Sequence, residues 1–227
     1  MLTNKEIHKF AVKEFNVFFR CNGYKRRGER TWFKIVNNEL LQLFYLVFSY
    51  GQENFNFDIA FMPLCVPKGS IDLNFSARLH RFDMRGYRTW GSYDQNLLDS
   101  DVLDAENIIT DEVFPWIENI DNYEKFVSLL SDKKRGEKIG FLPLKCHILE
   151  VLPEIFYYTH QFDKAENSVN DFKDYYSSCL NDERILSFLK RYDILRSYYE
   201  QGKPELIDKY FDNVICENLT IWKIIKK

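Results

Sequence analysis

The run "LLQLFYLVFSY", from Leu40 to Tyr50, is apolar on both faces except for Gln42. That is the pattern of a central strand covered on both sides. After Gly51 the chain begins to alternate: Phe55, Phe57, Ile59 and Phe61 point one way, and Asn54, Asn56 and Asp58 the other. Strand side chains alternate with period two, so two such runs joined by a short turn predict neighbouring antiparallel strands with one face sealed by another layer. This pair constrains the fold more than any other segment. It also raises a question about the polar face, which suits wet surface, a ligand groove or a seat for another protein.

The flanking segments extend the sheet. "TWFKIVNN" reads as a short strand ending in Asn37-Asn38, a pair suited to a tight turn. "IDLNFSARLHR" alternates again, with Ile71, Leu73, Phe75, Ala77 and Leu79 inward and Asp72, Asn74, Ser76, Arg78 and His80 outward. The covering layer comes first in the chain. Thr3 and Glu6 have capping-box spacing. Ile7, Phe10, Ala11, Phe15 and Phe18 then recur at helical intervals before Gly23. The expected fold class is α+β: an antiparallel meander sheet packed on an N-terminal helix, followed by a C-terminal helical bundle. "DAENIITDEVFPWIENI" predicts a helix interrupted at Pro115, and Asp121 suits the cap of the next. The polar loop "SDKKRGEKIG" predicts a boundary between a sheet domain, 1–135, and a helical domain, 140–227. Helices are expected around 144–160, 163–178, 182–200 and 204–217.

Composition narrows the function classes. The 227 residues carry a net charge of only −3, which favours neither nucleic acid nor an anionic membrane as partner. The cysteines at 21, 65, 146, 179 and 216 lack CxxC spacing, and the histidines at 8, 80, 147 and 160 form no HExxH. GxSxG, GxGxxG and GxxxxGK[ST] are absent. The reading is a non-enzymatic protein with no cofactor and no metal. No apolar signal core opens the chain, and no apolar run is long enough to span a bilayer as a helix, so a soluble cytoplasmic protein is expected.

Two constellations stand out. Around "ARLHRFDMRGYRTW", Arg78, His80, Arg81, Arg88 and Trp90, with Asp58 on the adjacent strand, form a candidate ligand site. Arginine forks and rings suit phosphate, carboxylate or nucleic-acid bases. The competing reading is a solvated face whose arginines pair with local acids. From Asp94 to Glu124 there is no Lys or Arg, although ten acids occur. Asp99, Asp101, Glu106, Asp111 and Glu112 are the candidate contacts for a basic protein partner. The competing reading there is acids placed at helix starts on a soluble flank. The turn "KRRGER" reads as a solvated loop anchored by Tyr24 and Trp32.

The run "CNGYKRRGERTWFK" after a helix, followed by "ELLQLFYLVFSYG" and "NFNFDIAFM" and closed by "DEVFPWIEN", resembles the uncharacterised bacterial domain family numbered 4304, over about residues 5–130. The resemblance implies an α+β domain without established catalytic residues. Residues 149–176 resemble a tetratricopeptide-type hairpin, with Leu149, Leu152, Phe156, Phe162, Ala165 and Val169 at packing positions and Pro153 and His160 departing from the pattern. The combined expectation is an interaction module, of immunity or regulator type, whose partner is a protein. The alternative is a small-ligand or nucleic-acid-binding domain, catalytic or not, on the polar sheet face.

Overall fold

The computed structural model describes residues 1–49, 53–83 and 89–225, with backbone only for Lys133 and Arg135. The chain divides into two compact units, one formed by 1–62 and 73–142 and the other by 63–72 and 143–227.

The first unit opens with helix α1, Asn4–Cys21, held at its start by the expected capping box: Glu6 N–H donates to Thr3 Oγ1 and Thr3 N–H to Glu6 Oε2. It ends in a Schellman motif, with Tyr24 N–H donating to the Phe19 carbonyl, Gly23 N–H to the Arg20 carbonyl, and Gly23 at φ +82°. The buried stripe is Ile7, Ala11, Phe15 and Phe19, a strict i, i+4 spacing. Phe10 and Phe18, expected in the core, are only half-buried.

Five strands follow: β1 (Lys25–Arg27), β2 (Thr31–Val36), β3 (Leu40–Phe48), β4 (Phe55–Pro63) and β5 (Ser76–Arg78). They form one antiparallel sheet in sequence order, the expected meander. Asn37 and Asn38 make the β2–β3 turn at φ 50° and 57°, left-handed conformations that asparagine tolerates well. The helix seals the sheet with rings: Phe15 meets Phe57 at 4.7 Å, and Phe19 lies 4.9 Å from Trp32 and 4.7 Å from Phe44. The first is edge-on, the second stacked and the third tilted, and ring contacts of these kinds add to the burial of large apolar area. Gln42, the lone polar residue of β3, is buried. It donates to the Ile117 and Ile120 carbonyls at 3.0 and 3.4 Å and accepts from the Tyr24 hydroxyl at 3.3 Å.

Beyond the sheet come α2 (Gln95–Ile108), a π turn (Ile109–Val113), α3 (Phe114–Glu118), α4 (Tyr123–Ser131) and α5 (Lys133–Ile139). Pro115 has no N–H and cannot continue an α-helical ladder. The strain is taken up just before it, where Phe114 N–H reaches the Ile109 carbonyl five residues back. Two expectations are corrected here. Asn122, not Asp121, caps α4, because its side chain accepts from Lys125 N–H while Asp121 pairs with the Lys125 ammonium. The segment read as a loop forms α5, which ends at Gly140 with φ +68°.

The second unit holds α6 (Lys145–Tyr158), α7 (Phe162–Tyr175), α8 (Glu183–Glu200) and α9 (Pro204–Ile221), near the expected bounds. Its interior is partly ionic. Glu154 is wholly buried and accepts from Arg191 Nε at 3.0 Å. Glu150 pairs with Arg184 at 3.4 Å and accepts from the Tyr176 hydroxyl. Asn218 on α9 donates to the carbonyls of Leu64 and Val66 and accepts from Lys68 N–H, which binds the 63–72 segment into this unit.

Candidate functional site

The two residue sets meet different fates, and the cause in each case is backbone geometry. On the sheet, register places Asp58 opposite Arg78, and Arg78 Nε donates to Asp58 Oδ1 at 3.2 Å. The arginine is exposed and the aspartate mostly covered. Burial raises the Asp58 carboxyl above its ordinary value, and Arg78 opposes that rise.

His80 does not share the outward face of a strand with Arg78. Strand β5 ends at Arg78, and Leu79–Arg81 form a 3-10 turn that rotates His80 into the protein, where it is buried. The Asn56 amide lies with Oδ1 accepting from Phe57 N–H at 2.8 Å and Nδ2 donating to His80 Nδ1 at 2.9 Å. A ring that accepts at Nδ1 carries its neutral-state proton on Nε2. Burial, and then the charges of Arg81 and Arg78, lower the imidazole below its ordinary value. The polar stripe on β4 is therefore spoken for: Asn56 orients His80 and Asp58 holds Arg78.

Trp90 is also internal. Its backbone bridges to Phe55, its ring is fully covered, and its indole N–H donates to Asp104 Oδ2 at 2.8 Å. Arg81 is exposed, with its side chain along Gly140, where an added Cβ would meet Arg81 Cγ at 3.0 Å. Arg88 lies outside the described residues. The sheet set thus brings together Asp58 with Arg78 and Asn56 with His80, while Trp90 belongs to the core.

The acidic set divides along α2. Asp101 turns inward and accepts from Gly91 N–H at 3.0 Å, so that together with Asp104 it fixes the Trp90-Gly91 corner. Glu106 is half-buried at the contact of α2 with α1. Burial first, and the Glu14 carboxylate second, push its carboxyl up to about 7. Asp99, Asp111 and Glu112 are exposed. Asp111 and Glu112 line a cavity of about 260 Å³ with Phe82, Asp83, Asp104 and Ile108. Among the described residues, no three His, Cys, Asp or Glu side chains converge closely enough to hold a metal.

The outer side of α2 adds residues that charge counting overlooks. Leu97 is 60% exposed and Leu103 58%. Leu103 sits one helical turn from both Asp99 and Asn107, which are also exposed. Leu97 sits one turn from Asp101. The signal was present in the sequence as leucines off the Leu98, Val102, Ala105 stripe, but only the fold decides which stripe is buried.

No family model, no curated protein and no solved structure matches the chain. Among the described residues, no helix is long and apolar enough to cross a membrane.

Proposed function

We propose that the protein is a non-enzymatic interaction module that docks a basic protein partner on the outer side of α2 and the π turn after it. The observation that carries this reading is the placement of exposed leucines beside exposed acids in a stretch of sequence without Lys or Arg. Leu97 and Leu103 stand out to solvent within a stretch of 31 residues that has neither Lys nor Arg. Burying one leucine side chain is worth about 1.5–3 kcal/mol. Acids around it speed and orient the approach of a basic surface. Asp99, Asp111 and Glu112 are the steering charges. Asp101 and Glu106 serve the helix instead, as the anchor of the Trp90 corner and as a half-buried pair with Glu14.

The alternative site on the sheet face gains less support. Its ring is in the core, and its imidazole and carboxylate are engaged by neighbours.

The test is capture from a native cell extract, treated with nuclease, by the wild-type protein and by Asp99→Lys/Asp111→Lys/Glu112→Lys. A protein recovered by the first and lost from the second, with the melting temperature unchanged, supports the reading. Its association rate should fall by roughly tenfold or more on charge reversal and should also fall with added salt. Equal recovery by both proteins would sink it.

A further inference from the structure

A second feature of the first unit is a cavity of about 610 Å³ between the start of α1 and the β1–β2 turn. Lys5, His8, Lys9 and Val12 line it from one face of α1, at i, i+3, i+4 and i+7, beside the stripe that faces the core. Arg26 comes from β1, Glu29 and Arg30 from the turn, and Phe48 from the end of β3. Among the described residues, four cations therefore line the space, against one carboxylate.

The basic groups are partly held in place. Arg26 Nε donates to the Gly28 carbonyl at 3.0 Å and its Nη2 to the Glu29 carbonyl at 2.8 Å. Gly28 makes that turn possible at φ +65°. The Arg30 guanidinium lies over the Phe48 ring at 5.7 Å, and its backbone carbonyl accepts from Leu46 N–H of β3. The His8 ring stacks on Phe48 with centroids 3.6 Å apart. Fixing cations before a ligand arrives reduces the ordering cost of binding.

His8 supplies the second, independent observation. Its Nε2 is buried and, among the described residues, has no hydrogen-bond partner. A buried polar atom left without a partner costs about 1–3 kcal/mol, and native proteins leave few of them. Burial, and then the charge of Arg30, lower the imidazole below its ordinary value, which favours the neutral ring. A small turn of the ring that opened Nε2–H to an acceptor oxygen would satisfy the atom, and an anion among the four cations would relieve their mutual repulsion.

We propose that this pocket binds a small molecule carrying one or more phosphate groups, with the phosphate oxygens shared among Lys9, Arg30 and His8 Nε2. Arginine presents a fork and lysine a point charge to phosphate, and each charge-assisted bond is about twice as strong as a neutral one. The volume lies within the range of small-molecule sites and exceeds what a lone phosphate ion fills. A long nucleic acid is the poorer fit, because the basic groups line one cavity and the whole chain is net negative. The pocket shares no residue with the acidic side of α2, so either proposal can fail without the other.

The experiment is a titration of the full-length protein with sodium pyrophosphate at low salt, followed through the imidazole resonances of His8 by NMR. Four variants keep it interpretable: Lys9→Gln, Arg30→Gln, His8→Phe, which keeps a ring on Phe48, and Lys125→Gln as a cation outside the pocket. The expected result is a saturable shift of the His8 resonances and a rise in the pH at which they titrate. Affinity should fall roughly tenfold in Lys9→Gln and in Arg30→Gln. Binding measured by calorimetry should also weaken in His8→Phe, which has no imidazole resonance to follow, without loss of melting temperature, and should be unchanged in Lys125→Gln. The proposal is overturned if His8 shows no saturable response, if the pocket variants bind as the wild type does, or if single-stranded RNA binds more tightly than pyrophosphate through the same residues.

Discussion

At the scale of single residues, Gln42 and Glu106 show how one polar group in a packed layer sets a measurable quantity. Gln42 joins β3 to the end of α3 and to Tyr24 through three bonds. Gln42→Leu keeps the volume but leaves two carbonyls and a hydroxyl short of a partner. It should cost about 2 kcal/mol in denaturant unfolding, with the dependence on denaturant concentration unchanged. For Glu106 the sign follows from linkage. Its folded-state value of about 7 lies above the ordinary carboxylate value. The protonated folded form is therefore favoured, and the stability it contributes is full below the unfolded-state value and lost as pH rises through about 7. Glu106→Gln removes that titration. The melting temperature of the variant should gain on the wild type steadily as pH is raised from about 5 to about 8. Gln42 was legible as an anomaly in an apolar strand, but its carbonyl partners lie 75 and 78 residues away and leave no local mark. His80 was misread for a different reason. Alternation predicts the direction of a side chain only while the chain stays extended, and the strand stops two residues before it.

At the scale of elements, period and punctuation carried most of the information. The capping box and Gly23 bracket α1 correctly, and the paired asparagines mark the β2–β3 turn. The buried stripe of α1 was one residue off at its end, Phe19 replacing Phe18, because adjacent phenylalanines satisfy nearly the same helical spacing. Phe18 takes a peripheral role and stacks on Phe114 at 5.8 Å. In "SDKKRGEKIG" polarity and glycine outweighed the helical propensity of Lys, Arg and Glu, and the helix formed. The helices of the second unit were legible in outline, but the charges between them were not. Glu154 lies on the apolar side of α6 and is matched by Arg191 on α8. Burial raises the Glu154 carboxyl above its ordinary value although Arg191 works against it. Arg191→Ala would leave that buried charge without its partner and should destabilise the protein by about 3 kcal/mol at neutral pH. The loss should shrink as pH falls and Glu154 takes up a proton, a trend that urea unfolding at two pH values would show.

At the scale of the whole molecule, the chain makes two compact units whose sequence segments interleave, since 63–72 belongs with the C-terminal helices. Asn218 is the reason on the side of that unit, and its three bonds reach 150, 152 and 154 residues back along the chain. Binding surfaces were legible only as composition. The absence of Lys and Arg from 94 to 124 was plain, yet which acids face solvent depended on how α2 settles against α1 and the Trp90 corner. The basic pocket was visible only as the "KRRGER" turn, because Lys5 and Lys9 come from another element. The proposed docking of a protein partner on the outer side of α2 ties these surfaces to function. It is tested most directly by placing a photo-reactive phenylalanine analogue at Leu103, and separately at the exposed Val17 of α1, and irradiating each protein in native cell extract. One discrete crosslinked protein is expected from position 103, diminished by added salt and by Asp99→Lys, and no such product from position 17. The same product from both positions, or none from 103 while the protein remains folded, would contradict it.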